Sequence, residues 1–271
     1  MSEEKSYVIG THDAEVERLG VQHRVWRASV LDLWERGGIT TGQTVLDVGA
    51  GPGYAAIDLA ETVGSTGRVI AVERSRRFLD ALEDRARRLG IGNISTIEAD
   101  VVDATFGERI ADAAWCRWVL SFVREPKAVV AHLARALRPG GVAVFQEYLD
   151  YGSWRLAPQS AVFERLVAAI NDRVRADGGF VDSALALPSA LTDAGFEIVS
   201  TRPMIDVVPP GSPFWQWPAS FVAVFLDRLV ATGQWTPQEA DETRAVMARA
   251  EADPRTLMVT PLVLEVIARK R

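Results

Sequence analysis

Cysteine is nearly absent from this chain. Cys116 is the only one in 271 residues. That excludes an intrachain disulfide and any cysteine-rich metal site, and no metal is expected. It suits a reducing compartment. Long apolar runs are missing too: no stretch approaches the roughly 18 consecutive apolar residues of a membrane span. Met1 to Gly10 is polar and charged, without the apolar centre of a signal peptide. A cytoplasmic protein with no membrane partner is expected. There is no excess of positive charge, with 30 Lys and Arg against 36 Asp and Glu, a formal net charge of −6. Proteins that grip phosphate backbones depend on clustered cations and counterion release, so a nucleic-acid partner is not expected. No internal repeat or low-complexity segment occurs. What is present is a 48% hydrophobic composition. That is enough for a packed core, at a length suiting one large domain or a domain with an insert.

Residues 13–36 read as a long helix. Val16, Leu19, His23, Trp26, Val30 and Leu33 recur at steps of three and four and so share one face. Asp13 is the expected cap, and Gly37-Gly38 the stop. Short apolar runs then alternate with helices. Val45–Val48, Arg68–Val72, Ile94–Glu98, Ala113–Trp118 and Val142–Glu147 read as strands. Tyr54–Val63, Ser75–Leu89 and Pro126–Leu137 read as helices between them. Such alternation predicts a doubly wound α/β fold with a mostly parallel sheet buried on both faces. Further on, Ser160–Ala176 and Leu185–Ala194 read as helices, and Phe196–Arg202 and Val263–Lys270 as two more strands. The last two strands are separated by about 60 residues rich in proline and aromatics, with helices expected near Ala219–Thr232 and Gln238–Ala252. An insert that long, with its own helices, reads as a lid.

The sharpest signal is Val45-Leu46-Asp47-Val48-Gly49-Ala50-Gly51-Pro52-Gly53. A buried strand enters three glycines at alternate positions, and a helix follows. Glycine is needed where the backbone takes unusual angles or lies against a ligand. In an open parallel sheet ligands sit at the carboxyl ends of the strands. Glu73 ends the second strand, where a carboxylate can accept from both hydroxyls of a ribose. Asp100 ends the third, where it can accept from an adenine amino group while Val101 packs on the ring.

These residues together resemble the class I S-adenosylmethionine-dependent methyltransferases, most closely the small-molecule branch that includes ubiquinone and natural-product enzymes. The resemblance covers about residues 40–150. Val45–Gly53, with Asp47 before the glycines, resembles the family's first motif. Glu73 resembles its ribose-binding acid, and Asp100 its adenine-site acid. Leu137-Arg138-Pro139-Gly140-Gly141 resembles its turn into the fifth strand. The resemblance implies S-adenosyl-L-methionine as cofactor. It also implies a Rossmann-like, seven-stranded methyltransferase sheet with the last strand antiparallel, an N-terminal helix, and a helical insert between the last two strands. The expected division is an N-terminal segment over 1–38, a core over 39–202 and 259–271, and an insert over 203–258. Arg117, at the end of the fourth strand, matches a position that touches the methionine part of the cofactor. Tyr7, Arg18 and Gln22 match an N-terminal segment that closes over it. Arg18 and Gln22 lie four apart, on one helical face, and can meet the cofactor's carboxylate.

Methyl transfer is a direct displacement, so alignment and exclusion of water are the main tasks and a general base is optional. The candidates for a base are His12, His23 and Glu147. His23 reads equally as a hydrogen-bonded core histidine, and Glu147 as a strand end. His132, within a helix, reads as a surface residue. Trp118, Tyr148, Tyr151, Trp154, Trp215, Trp217 and Phe221 are the expected lining of an acceptor pocket, some of them serving instead to pack the insert. The expected partner is a small, apolar or aromatic acceptor methylated at oxygen, nitrogen or carbon. Two other readings of the glycine loop stay open: an NAD-dependent oxidoreductase and a non-catalytic binding protein on the same scaffold. The oligomeric state is not indicated.

Overall fold

A computed structural model describes residues 10–271. The chain opens with α1 (Asp13–Gly37). Its cap is His12, one residue earlier than expected: Nδ1 accepts the Glu15 amide at 3.3 Å. Asp13 instead begins the helix and pairs with Arg77 at 2.6 Å. Gly38 ends the helix in the left-handed conformation.

Five parallel strands follow: β1 (Thr44–Val48), β2 (Arg68–Glu73), β3 (Ile94–Glu98), β4 (Ala111–Arg117) and β5 (Leu137–Asp150). The helices between them are α2 (Tyr54–Val63), α3 (Arg76–Leu89) and α4 (Pro126–Ala136). After β5 come β6 (Arg155–Ala157), α5 (Ala161–Ala176), α6 (Leu187–Asp193), β7 (Phe196–Met204) and β8 (Val207–Val208). The chain ends with α7 (Pro213–Ala231), α8 (Pro237–Ala252), β9 (Leu257–Val259) and β10 (Leu262–Lys270).

The main sheet has seven strands in the order β3-β2-β1-β4-β5-β10-β7. β10 alone runs antiparallel, slotted between β5 and β7. This is the seven-stranded, mostly parallel methyltransferase sheet that the resemblance implies. Alternate strand residues feed two cores. Val45, Trp115 and Val144 face α1, α2 and α3. Leu46, Cys116 and Phe145 face α4 and α6.

The order of strands places the carboxyl ends of β1 and β4 side by side, the switch point where open α/β sheets hold ligands. α1 lies across that end. It approaches α2 so closely that a Cβ on Gly20 would stand 2.6 Å from the Tyr54 hydroxyl, which donates to the Val16 carbonyl at 3.2 Å. A side chain at position 20 would therefore have to displace the Tyr54 ring.

Two parts of the second half differ from the sequence reading. α7 begins at Pro213, six residues before the expected start at Ala219. Pro213 fits the first helical turn, where its missing N–H has no partner to lose. Pro218 lies inside the helix; the bond it forgoes is offset by burial of Trp215, Trp217, Phe225 and Leu226. A small antiparallel sheet in the order β6-β9-β8 was not foreseen. Its strands are two or three residues long, too short to show periodicity. It ties the segment after β5 to both ends of the stretch between β7 and β10. α5 packs on α8, α8 on α7, and α7 along α1. Among the described residues no helix is long and apolar enough to cross a membrane.

Candidate functional site

One cavity opens at the carboxyl ends of β1, β2, β3 and β4, under α1. Three acids reach it from three consecutive strands. Asp47 lies in register with Ala71 of β2 and Trp115 of β4. It is 2% exposed, and its Oδ2 is buried without a hydrogen-bond partner among the described residues. Burial pushes its carboxyl up to about 7, against the pull of Arg117.

Glu73 ends β2 and is anchored before any ligand arrives. Oε2 accepts the Gly51 amide and Oε1 the Ser75 amide, each at 3.0 Å. Burial raises its pKa, and those two amides oppose the rise. Asp100 lies just past β3, half-buried, with Oδ1 accepting the Val102 amide at 3.1 Å. Beside it Val101 is buried. The Val101 carbonyl meets Nδ1 of His132 at 3.4 Å. His132 is thus half-buried beneath this turn and edge-on to Phe106, not a surface residue.

The glycine loop forms the floor. Gly49 has φ +68°, and a Cβ there would stand 2.4 Å from Cγ2 of Val119. The loop after β4 can therefore rest on the loop after β1 only because position 49 has no side chain. Gly51 serves through its amide, and Gly53 starts α2 in a left-handed conformation.

The loop after β4 is itself strained. Trp118 has φ +51°, a genuine outlier for a bulky residue. Glu147 holds it there. The Glu147 side chain is 0% exposed. Oε1 accepts the Val119 amide at 3.0 Å and the Leu120 amide at 3.1 Å. Oε2 accepts the hydroxyls of Ser121 at 3.4 Å and Ser183 at 3.2 Å. Burial pushes this acid up to about 7 against those donors.

Arg117, at the end of β4, lies half-buried beside the Trp118 ring, with its guanidinium carbon 5.1 Å from the ring centroid. Desolvation lowers its pKa to about 10. Nη2 is 3.2 Å from Nδ1 of His23, while Nη1 is buried without a partner among the described residues.

α1 supplies the roof through Glu15, Arg18, Leu19 and Gln22. Arg18 grips Glu15 with two bonds, at 2.7 and 2.6 Å, and donates to Gln22 Oε1 at 3.0 Å. The far end is aromatic: Trp118, Tyr148, Phe122 and Phe221. Trp118 stacks on Tyr148 at 5.5 Å.

Of the residues expected at the site, Asp47, Gly49, Glu73, Asp100, Val101, Arg117, Arg18, Gln22, Trp118, Tyr148 and Phe221 share this cavity wall. Tyr7 lies outside the described residues. The three candidate bases do not reach the wall. His12 caps α1 from its exposed position. Both nitrogens of His23 are engaged behind Arg117. Glu147 is consumed by the Trp118 loop. Tyr151, Trp154, Trp215 and Trp217 form a second layer. Trp217 stacks on Trp118 at 5.4 Å and meets Trp26 edge-on at 4.8 Å. Tyr151 meets Tyr148 at 4.9 Å and Trp154 at 5.6 Å. Trp215 is 0% exposed.

Sequence reasoning missed Glu15 and Asp58. Glu15 stands three residues before Arg18, a pairing distance on a helix that could have been read. Asp58 lies 35 residues from its partner His23, and no local pattern signals it.

Residues 45–141 match the sequence family described as methyltransferase domain. The chain is 34% identical over 128 residues to the 2-phytyl-1,4-naphtoquinone methyltransferase of a Nostoc species, covering 47% of this chain and 55% of that protein. It is 25% identical over 192 residues to a ubiquinone/menaquinone biosynthesis C-methyltransferase of Klebsiella pneumoniae, covering 65% and 74%. A Haemophilus ducreyi protein of the same name is 28% identical, with 46% and 48% covered. The match thus spans about half the length of the first of these relatives. Among solved structures, a putative methyltransferase from Bacillus halodurans aligns over 90% of this chain and 99% of its own, with a TM-score of 0.61 and 14% identity. The (4+2)-cyclase SpnF aligns over 90% and 80%, with a TM-score of 0.58 and 20% identity. A glycine loop, two acid-tipped strands and a seven-stranded sheet with one reversed strand coincide with the methyltransferase-domain match over residues 45–141, and in these features the chain is similar to the class I S-adenosylmethionine-dependent methyltransferases.

Proposed function

We propose that the protein transfers a methyl group from S-adenosylmethionine to a small, mainly apolar acceptor with an aromatic ring. The observation that carries this reading is a pair of buried, unpartnered atoms of opposite kind in one cavity. Asp47 Oδ2 is an acceptor without a donor, and Arg117 Nη1 a donor without an acceptor. Leaving either group unsatisfied costs free energy, about 1–3 kcal/mol and more for charged groups. The zwitterionic end of an amino acid satisfies both: its ammonium suits the carboxylate and its carboxylate suits the guanidinium. Glu73, already oriented by two amides, is placed for the ribose, and Asp100 with Val101 for the base. Tyr7, Arg18 and Gln22 belong to the same proposal as the closing N-terminal segment.

When bound, this cofactor supplies an electrophilic methyl group on a sulfonium. The chain's own residues bind, orient and exclude water. Trp118, Tyr148 and Phe221 offer flat apolar faces to an acceptor ring, and α1 and the stretch over 203–258 form the lid. The quinone acceptors in the names of the relatives support the same class. None of His12, His23 and Glu147 lines the cavity, and this reading assigns no base, with alignment contributing the larger share of the rate.

Thermal unfolding with S-adenosylhomocysteine, S-adenosylmethionine and NAD in parallel tests the cofactor. A ligand at a hundred times its Kd adds about 2.7 kcal/mol, which is several degrees in a chain of this size. A shift with the adenosyl ligands, reduced but still measurable in Asp47→Asn, is expected. A shift with NAD alone would overturn the reading.

A further inference from the structure

We propose that His23 is a positioning residue that aims Arg117, acting through a chain that starts at Asp58. This rests on the cofactor reading above. Arg117 carries only donors, so the 3.2 Å contact between its Nη2 and His23 Nδ1 requires Nδ1 to be the acceptor. The proton of a neutral imidazole must then sit on Nε2. Nε2 is 3.0 Å from Asp58 Oδ2, an acceptor placed to take that proton. The two contacts agree on one tautomer, and Asp58 enforces it.

Asp58 is in turn fixed by Arg27, whose Nε donates to the same oxygen at 2.7 Å. The order runs Arg27, Asp58, His23, Arg117, from the outer surface of α1 to the cavity. With Nη2 tied back to His23, the guanidinium plane is set, and its other terminal nitrogen, Nη1, stays buried and unpartnered in a residue that lines the same cavity as Asp47. A free arginine would lose several rotamers on meeting a ligand carboxylate; one held by His23 has already lost them.

The charge pattern supports the neutral imidazole. The groups facing His23 are Asp58 from α2, Arg117 from β4 and Arg27 on its own helix, while the Tyr54 ring lies parallel at 6.1 Å. Burial lowers the His23 pKa most, and Arg117 lowers it further, against the bond to Asp58. Protonated His23 would present a cation to Arg117 and remove its acceptor.

The test compares two nucleosides. S-Adenosylhomocysteine carries the amino-acid end; 5′-methylthioadenosine has the same adenosine and sulfur without it. Isothermal titration is run on wild type, His23→Phe, His23→Asn and Asp58→Leu. Phenylalanine fills the space without an acceptor. Asparagine at 23 keeps a carbonyl near the Nδ1 position. Leucine at 58 removes the oxygen that accepts from Nε2, so nothing holds the proton off Nδ1. Expected are a roughly tenfold loss for S-adenosylhomocysteine in His23→Phe and Asp58→Leu, methylthioadenosine within about twofold of wild type, and partial recovery in His23→Asn. Equal losses for both nucleosides in the variants that fold would mean a merely structural histidine and overturn the proposal. So would no loss for either. Wild type binding neither nucleoside would overturn the cofactor reading, and this proposal with it.

Discussion

The two ends of the cavity are built on opposite principles. At the glycine-loop end, polar groups are buried with their hydrogen-bonding capacity unspent: Asp47 Oδ2 and Arg117 Nη1 have no partners among the described residues, and burial holds Asp47 near 7. At the aromatic end, rings meet rings in two layers, Trp118 and Tyr148 in front, Trp217 and Tyr151 behind. The first end carries a cost that a ligand of matching charge removes. The second is satisfied by its own packing and offers shape. Substitutions at the two ends should therefore separate into ligand binding on one side and acceptor handling or stability on the other.

The largest effect should come from the second layer. Trp215 is fully buried and off the cavity wall, so Trp215→Ala should cost about 3–5 kcal/mol of stability. At about 2–4 °C per kcal/mol, calorimetry should show a midpoint lower by roughly 6–20 °C. S-Adenosylhomocysteine affinity should persist wherever the fold does. A selective loss of acceptor turnover at an unchanged midpoint would move Trp215 to the wall and break the comparison.

Glu73→Ala should come next. It removes the acceptor proposed for the ribose and releases the Gly51 and Ser75 amides. Hydrogen bonds to charged groups contribute about 1.5–3 kcal/mol, so titration should show S-adenosylhomocysteine weakened roughly a hundredfold. Methylthioadenosine keeps the ribose and should weaken equally, unlike its behaviour in His23→Phe.

How much of this was legible in the sequence follows the same division. The glycine loop and Glu73 were readable because each sits at the end of a buried apolar run whose length fixes its position; Asp100 follows a half-exposed edge strand, Ile94–Glu98, and was readable only in company with them. The strand order places those ends together without further information. The aromatic end was readable only as composition. Trp118 and Trp217 differ in whether they face the cavity, and that depends on how α7 crosses α1, a contact between residues almost 200 positions apart. His23 and Glu147 were singled out because each breaks an apolar pattern. The sequence could not say that the break serves Arg117 in one case and the Trp118 loop in the other, since Asp58, Ser121 and Ser183 are distant in the chain.

Trp118 is the residue where the two ends touch, lying under Arg117 and stacked on Tyr148. Trp118→Ala removes one aromatic face from the acceptor space, and such stacking contributes about 0.5–1.5 kcal/mol beyond area. With a quinone-like acceptor, kcat/KM should fall about tenfold while S-adenosylhomocysteine Kd stays within about twofold. Equal losses in both would make Trp118 part of the cofactor end.

The smallest effect is in pH, and it probes the cost at the polar end directly. Asp47 has its folded pKa raised to about 7 from an ordinary 3.8. In the ligand-free protein its contribution to stability is therefore fully present below the ordinary carboxylate range and is lost as pH rises through about 7. A ligand ammonium needs the ionised carboxylate and stabilises it. Binding must then expel a proton below about pH 7, so S-adenosylhomocysteine affinity should fall as pH drops through that value. For a single group titrating near 7, the loss between pH 7.5 and 6.5 is roughly threefold. Methylthioadenosine has no ammonium and should show a flat profile over the same interval. Asp47→Asn should flatten the profile for S-adenosylhomocysteine as well. His23, with its pKa lowered by burial, protonates only below its ordinary value of 6.5, so any second fall on its account belongs at lower pH and should survive in Asp47→Asn. A profile that is flat in wild type would mean that Asp47 is already ionised without ligand, and that the unspent acceptor at this end is the loop's own feature and not a place kept for an ammonium.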